Sequence, residues 1–431
     1  MGDHLPSSSS KKRILSDTEL GGGIRKVAKV HPFFTKSKTT SGVGTGDFQW
    51  LSSLGSNGSC LHGVNLNPKS SSKVAIFDLD GTLIKSEFHN KLLHGKPAWE
   101  WWKLNVPSKL AELHTSGYAL VIVTNQAIKP AAMNIWRQKI PQLAAVLNLP
   151  FRIFVAVAKD EYRKPMPGMW NELDRIFNEQ GTKIDKGCSF FVGDAAGRHY
   201  NGKRSDFSSS DRKWAHNVGL NFFTPEEYFL GQPTYTNFEL PGFHVSSIPE
   251  LPLITPTSSP LLPTPLKQEI VLFVGYPCLG KTSFFRRHFL LQGYEHINQD
   301  NLKTRDRCIK ALQSALGGAR SCVIDNTNRD VSTRAHYINV ANAHKVPIRC
   351  ILFVGSCELA WHNNLYRAYN LPPAVAAREL LPYMAFTSFR DNYEEPQSDE
   401  GFAEIKKVNW VFEGSEEEKR YWSMWLQIDG K

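Results

Sequence analysis

KVAIFDLDGTLIK, running from Lys73 to Lys85, decides how the chain is read. Val74 to Phe77 form a short apolar run that stops at two carboxylates, Asp78 and Asp80, with Gly81 and Thr82 directly behind. A strand buried on both faces has that composition. The abrupt change to acids and glycine marks the carboxyl edge of a parallel sheet, where open α/β sheets keep their chemistry. Positions i and i+2 of a strand point to one side, so the two acids meet at a single place. Like charges that close need a cation, and hard carboxylate oxygens suit Mg2+.

Working outward, strand-like and helix-like segments alternate from Ser71 to about Leu240, as in a doubly wound parallel sheet. Tyr118 to Val123 is a second apolar run, and it ends at Thr124, a hydroxyl placed to donate to a phosphoryl oxygen. Arg163-Lys164-Pro165 follows the apolar stretch from Phe151 to Ala158, and Lys164 there offsets the charge of Asp78. Ser189 to Asp194 is another strand ending in an acid, able to complete a metal site with Asp78 and the backbone carbonyl of Asp80. In this order the DxDGT run, Thr124, Lys164 and Asp194 resemble the four motifs of the haloacid dehalogenase phosphohydrolases. The resemblance implies that Asp78 attacks phosphorus and becomes a transient aspartyl phosphate, and that Asp80 is general acid and then general base. Thr124, Lys164 and Mg2+ would hold the phosphoryl oxygens. Only 43 residues separate Asp80 from Thr124, and 39 separate Thr124 from Lys164. Gaps of that length have little room for a lid domain, and an uncovered site admits the end of a polymer.

The second half carries another phosphate signature. Glu269 to Gly275 is an apolar strand leading into Gly275-Tyr276-Pro277-Cys278-Leu279-Gly280-Lys281-Thr282 and a helical pattern from Ser283. This is GxxxxGK[ST] between strand and helix. Its backbone N–H groups would cradle the β- and γ-phosphates of ATP, with Lys281 adding positive charge and Thr282 binding Mg2+. Tyr294 to Asp300 ends in a carboxylate suited to taking a proton from an acceptor hydroxyl. Arg320 to Asn328 has the form of a strand carrying Asp325 and amides towards the phosphates, and Arg367 lies on a helical stretch where it would fold over the γ-phosphate.

Tyr162 to Trp170, Gly193 to Arg198, Lys203 to Phe207, Ser210-Asp211-Arg212 and Thr224 to Phe229 closely resemble the phosphatase domain of polynucleotide kinase 3'-phosphatases. The segments around Asp300, Asp325, Arg349 to Phe353 and Arg367 resemble their 5'-kinase half, and the likeness covers most of residues 73 to 412. It implies an enzyme that hydrolyses 3'-phosphates and phosphorylates 5'-hydroxyls on DNA strand ends, using Mg2+ and ATP at two independent sites. It also implies that Asp211 sits near the metal, with Arg163, Lys203, Arg204 and Arg212 along the approach of the strand. Two departures stand out. Animal members carry an N-terminal forkhead-associated domain, which about 70 residues cannot hold. Lys303 stands where phage relatives keep a phosphate-binding Arg. No residue identifies a 2'-hydroxyl sensor, so RNA ends or a phosphorylated metabolite are the alternative substrates. A non-catalytic end-binding scaffold is disfavoured by the intact motifs.

A chain of 431 residues suits two or three domains, and its net charge of +10 favours polyanionic partners. No run of about 18 apolar residues occurs, so no membrane span is expected. The opening MGDHLPSSSSKKR lacks the apolar stretch of a secretory signal. Seven cysteines without CxxC spacing argue for reduced thiols inside a cell. Residues 1–70 hold nine Lys and Arg against four acids and are rich in Ser, Gly and Thr, the composition of a disordered basic tail. Lys11-Lys12-Arg13 fits a nuclear import signal and hence a nuclear location. Val30-His31-Pro32-Phe33-Phe34 has the aromatic spacing of peptides that plug into a replication sliding clamp, with Val27 where the leading Gln is usual. Seven prolines from Pro241 to Pro265 read as a linker, 241–266. The expected architecture is α/β: two doubly wound parallel-sheet domains, a haloacid dehalogenase-like phosphatase over 71–240 and a P-loop kinase over 267–431.

Overall fold

The computed structural model describes residues 47–55, 57–86, 92–93, 96–202, 204–372 and 375–427. Lys11 to Arg13, Val30 to Phe34 and Lys203 lie outside these residues. In chain order the first half supplies β1 (Gln49–Trp50), β2 (Cys60–Asn65), β3 (Val74–Phe77), a hairpin of β4 (Leu92–Leu93) and β5 (Lys96–Pro97), β6 (Ala119–Asn125), β7 (Phe151–Ala156), β8 (Phe190–Val192) and β9 (Asn221–Phe223). One sheet runs β1-β2-β7-β6-β3-β8-β9. β7, β6, β3, β8 and β9 are parallel, whereas β2 is antiparallel to β7 and β1 to β2. The alternation along β3 explains why both faces are covered. Ala75 and Phe77 enter one core with Trp136, Ile140 and Leu143, while Val74 and Ile76 enter the other with Met169, Leu173 and Trp214.

The second half supplies β10 (Ile254–Thr255), β11 (Ile270–Val274), β12 (Glu295–Ile297), β13 (Cys322–Asp325), β14 (Ile348–Phe353) and β15 (Glu404–Val408). They form a sheet in the order β10-β15-β14-β11-β13-β12, parallel except for β10. Again the central strand is buried throughout, with Ile270, Leu272 and Val274 on one face and Val271 and Phe273 on the other. Among the described residues no helix is long and apolar enough to cross a membrane.

The structure departs from the sequence expectation in three places. Residues 47–65 are not tail: β2 pairs along its full length with β7, and Phe48 packs with Trp50 at 5.1 Å and with Phe151 at 6.1 Å between ring centroids. The segment borrows its burial from a strand nearly ninety positions away, which its local Gly/Ser composition cannot reveal. The proline-rich stretch is not a free linker either. Ile254–Thr255 pairs with β15, Ser259 holds Lys406 Nζ and Glu404, and the Leu261 carbonyl accepts from Arg349 Nη1. Prolines here flank a two-residue edge strand, where missing N–H donors leave no gap in the ladder. Finally, both sheets are mixed and not purely parallel, because these two added segments run antiparallel along one edge of each.

Candidate active sites

At the carboxyl edge of the first sheet, Asp78 leaves β3 while its N–H donates to the Val192 carbonyl at 2.9 Å. Gly81 has φ +87°, and a Cβ there would lie 2.3 Å from Asp194 Oδ2; a Cβ on Gly193 would lie 2.4 Å from Asp211 Oδ2. Only glycine at these two points lets the acids of three segments converge. Carboxylate oxygens of Asp78, Asp194 and Asp211 lie within 4.8 Å of one another. Lys164 projects between two of them, with Nζ 2.7 Å from Asp78 Oδ1 and 2.7 Å from Asp211 Oδ1, and also donates to the Val123 carbonyl at 3.0 Å. The lysine is 1% exposed. Its backbone is fixed by Asn125, whose side chain accepts from the Lys164 N–H and donates to its carbonyl, both at 2.9 Å.

Electrostatics follow from this crowding. Burial, reinforced by Asp211 and opposed by Lys164, pushes the Asp78 carboxyl up to about 7. Burial and the neighbouring Asp78 and Asp211 raise Asp194 as well. Burial works against the charge of Lys164, but Asp211 and Asp78 outweigh it and hold the ammonium above its ordinary value. Asp78 and Asp211 share the one ammonium of Lys164 at 2.7 Å, and it offsets only part of the negative charge the three acids can carry. Three hard oxygen donors and one ammonium leave the remainder for a divalent cation to balance, so the donor set fits Mg2+.

Asp80 stands apart from the acid cluster. Its Oδ2 accepts from Gln126 Nε2 at 2.7 Å, and the same amide donates to Thr124 Oγ1 at 3.0 Å. Gln126 is fully buried, so one side chain aligns both an acid and a hydroxyl. With its lone pair engaged by the amide, Thr124 is left to donate its own proton elsewhere. Asp78, Asp80, Thr124, Arg163, Lys164 and Asp194 line one cleft of about 340 Å³, together with Asp211. Asp211, expected near the metal, joins Asp78 and Asp194 as the third side-chain acid of the cluster.

Two cations expected on the approach do not line the cleft itself. Arg212 is 8% exposed, its guanidinium stacked 3.8 Å from the Phe238 ring centroid and 4.8 Å from that of Phe222, with Nε donating to the Ala196 carbonyl. Two aromatic faces and a carbonyl desolvate it, so it braces the fold and does not meet a strand. Arg204 is exposed and does not line the cleft.

In the second half, β11 delivers the chain to a tight loop. Gly275 has φ +148° beneath Phe353, and Gly280 caps the helix Lys281–His288 at φ +81°. Lys281 Nζ donates to the carbonyls of Gly275 (3.0 Å) and Tyr276 (2.6 Å), and burial pulls its ammonium down to about 8 although Asp325 works the other way. Thr282 Oγ1 donates to Asp325 Oδ2 at 2.6 Å, and His296 Nε2 meets the same oxygen at 2.8 Å. Burial raises the Asp325 carboxyl, but hydrogen bonds from His296 and Thr282 outweigh it and hold the group ionised. Pro277, Cys278, Gly280, Lys281, Thr282 and Ser283 line a cleft of about 720 Å³ with Asp300, Lys303, Asp325, Arg367 and Arg378. Tyr276 packs instead on Phe389, ring centroids 4.2 Å apart, and Leu279 is buried beside a second pocket. That pocket, about 260 Å³, shares Arg367 and Arg378 with the first and is walled by Trp410, Phe412 and Trp422. Asn298 caps the turn that carries Asp300, accepting from its N–H at 2.7 Å and donating to the Asp325 carbonyl.

Gln126, His296 and Arg378 went unassigned in the sequence. Gln126 had a signal, as the last residue of Thr124-Asn125-Gln126 at a strand end; His296 and Arg378 had none, being single residues brought in by β12 and by the segment after the helix Cys357–Tyr369.

Comparison with known proteins agrees with this division. Residues 73–229 match the family model of polynucleotide kinase 3 phosphatase, and residues 303–396 match that of an AAA domain. The bifunctional polynucleotide phosphatase/kinase of Schizosaccharomyces pombe is 38% identical over 366 residues, 83% of this chain and 84% of that one. The putative bifunctional polynucleotide phosphatase/kinase of Acanthamoeba polyphaga mimivirus is 33% identical over 374 residues, 80% of this chain and 86% of that one. The polynucleotide 3'-phosphatase ZDP of Arabidopsis thaliana is 39% identical over 187 residues, 38% of this chain and 25% of that one. Because two such relatives are matched across both halves, the carboxylate cleft and the P-loop cleft alike, the chain belongs to the bifunctional polynucleotide phosphatase/kinase family.

Proposed function

We propose that the chain makes DNA strand breaks ligatable, removing 3'-phosphates in the carboxylate cleft and adding 5'-phosphates from ATP in the P-loop cleft. A ligase needs a 3'-hydroxyl and a 5'-phosphate, and damaged breaks often present the reverse. The observation that carries the reading is the pairing of two phosphate-handling clefts of different chemistry in one polypeptide.

In the first cleft Asp78 attacks the 3'-phosphorus and becomes an aspartyl phosphate, dividing one hard displacement into two easier ones. Asp80, aligned by Gln126, protonates the departing 3'-oxygen and then takes a proton from the attacking water. Lys164 and the Thr124 hydroxyl hold the phosphoryl oxygens as charge shifts between them. Asp78, Asp194 and Asp211 would hold Mg2+, which when bound neutralises phosphoryl charge.

In the second cleft the loop from Gly275 to Gly280 cradles the ATP phosphates, with Lys281 and Arg367 supplying charge. Asp300 accepts the proton of the 5'-hydroxyl. Thr282 and Asp325 would hold the Mg2+ that accompanies ATP, and the pocket walled by Trp410 and Phe412 suits the flat base. A nuclear setting is supported by Lys11-Lys12-Arg13.

A nicked duplex bearing 3'-phosphate and 5'-hydroxyl, incubated with Mg2+, tests the reading. Loss of the 3'-phosphate without ATP, and gain of the 5'-phosphate only with it, are expected. Matched RNA ends run in parallel tell the two nucleic acids apart. Rapid hydrolysis of a free sugar phosphate beside untouched strand ends would sink the proposal.

A further inference from the structure

The two halves meet at the loop that carries Lys164. Asn217, in the helix Ser210–Val218 of the phosphatase half, donates through Nδ2 to the Pro165 carbonyl at 2.8 Å and to the Trp425 carbonyl at 2.7 Å. Its Oδ1 accepts from the Trp425 N–H at 2.7 Å. One amide therefore ties the residue directly after Lys164 to a segment that follows the last helix of the kinase half, Glu416–Trp422. Met166, 1% exposed, is buried with Leu365 and Leu426 of the kinase half. Trp425 itself lies 4.9 Å below Lys213 Nζ and 4.5 Å from the His244 ring.

Ordinary domain packing buries apolar side chains and leaves the backbone of a catalytic loop alone. Here a polar clamp and an apolar seat converge on two consecutive residues, Pro165 and Met166, beside a lysine whose ammonium is held within 2.7 Å of two acids. Lysine has a long flexible stem, so where its ammonium lies depends on where its backbone is anchored. Asn125 anchors one side of that backbone from within the phosphatase sheet; the other side is anchored through Asn217 to the kinase half. Displacement of a catalytic group by about 1 Å lowers a rate by about a hundredfold.

We propose that Trp425 and Leu426, gripped by Asn217, form a positioning strut that sets the height of Lys164, so that 3'-dephosphorylation depends on the end of the kinase half. This rests on the assignment of Lys164 given above. The two activities are thus coupled in one direction: the kinase needs nothing from Asn217, whereas the phosphatase needs Leu426.

The test uses the full-length chain. Asn217→Ala and Leu426→Ala are each expected to lower kcat for 3'-phosphate release about tenfold with KM and the 5'-kinase rate within about twofold of the parent. Leu426→Met, which refills the seat, is expected to restore kcat. If Leu426→Ala does not fold, Asn217→Ala decides, since it removes the clamp and leaves the apolar seat. A folded Asn217→Ala that keeps its phosphatase kcat, or loses both activities in parallel, overturns the strut. Lys164→Met separates the two readings: if it keeps phosphatase activity, the site assignment itself fails; if it is inactive beside a fully active Asn217→Ala, the strut alone fails.

Discussion

In the phosphatase cleft the ammonium of Lys164 already lies against two carboxylates and its backbone is pinned on both sides, whereas in the kinase cleft Asp300 is exposed and Lys281 rests on the carbonyls of its own loop. In the proposed mechanism the difference follows from who supplies the reacting atoms. With Asp78 as the proposed nucleophile, the fold must hold it, its counter-charge and its proton donor in register. In the other cleft both reacting atoms come from substrates, and the protein has mainly to position them and compensate charge. A covalent mechanism favours a buried, cross-braced site; a direct transfer favours a roomier one, about 720 Å³ against about 340 Å³.

The largest test of this contrast removes one site at a time. Asp78→Asn should lower 3'-phosphate release about a thousandfold and leave 5'-phosphate transfer intact, and Lys281→Ala should do the opposite. Both are read on one preparation with doubly labelled oligonucleotides; a folded protein losing both activities through either change breaks the comparison. Next in size, Gln126→Ala frees Asp80 and Thr124 together and should lower phosphatase kcat about tenfold to a hundredfold. An equal fall in kinase rate would mean the substitution disturbs the fold and not the alignment.

Smaller effects concern stability. Burial pushes the Asp78 carboxyl up to about 7, so between its ordinary value near 3.8 and about 7 the unfolded chain releases a proton that the folded, metal-free protein retains. Stability should therefore fall as pH rises through that window and level off above it. Metal-free Asp78→Asn lacks this penalty and should melt above the parent at pH 8, by a few degrees, with the gap closing towards about pH 4. A gap that widens on acidification would reverse the sign of the argument. Smallest of all, Arg212→Lys should leave the KM for a 3'-phosphorylated strand within about twofold while lowering the melting midpoint by a few degrees. A clear rise in KM would return Arg212 to the strand's path.

Much of both sites was legible because it is local. Asp78, Thr124, Lys164, Asp194 and the Gly275–Thr282 loop each follow an apolar run, and a strand's end is visible in a single stretch of sequence. What escaped depends on distant partners. β2 has no apolar signature of its own and is defined by β7; Arg212 looks like any surface cation until Phe222 and Phe238 enclose it. Asp211 lies on a helix of mixed polarity, so its place at the acid cluster was readable through the family resemblance and not from its own stretch of sequence. Asn217 and Trp425 are more than two hundred positions apart, and nothing in either segment announces the other.

The pairing of Ile254–Thr255 with Glu404–Val408 bears on how the molecule can be dissected. A fragment started at Lys267 would strip the cover from β15 and leave its unpaired amides and carbonyls open to a second copy, inviting stacked aggregates. One started near Pro241 keeps that edge sealed, so the proline-rich stretch travels with the kinase half when the two are separated.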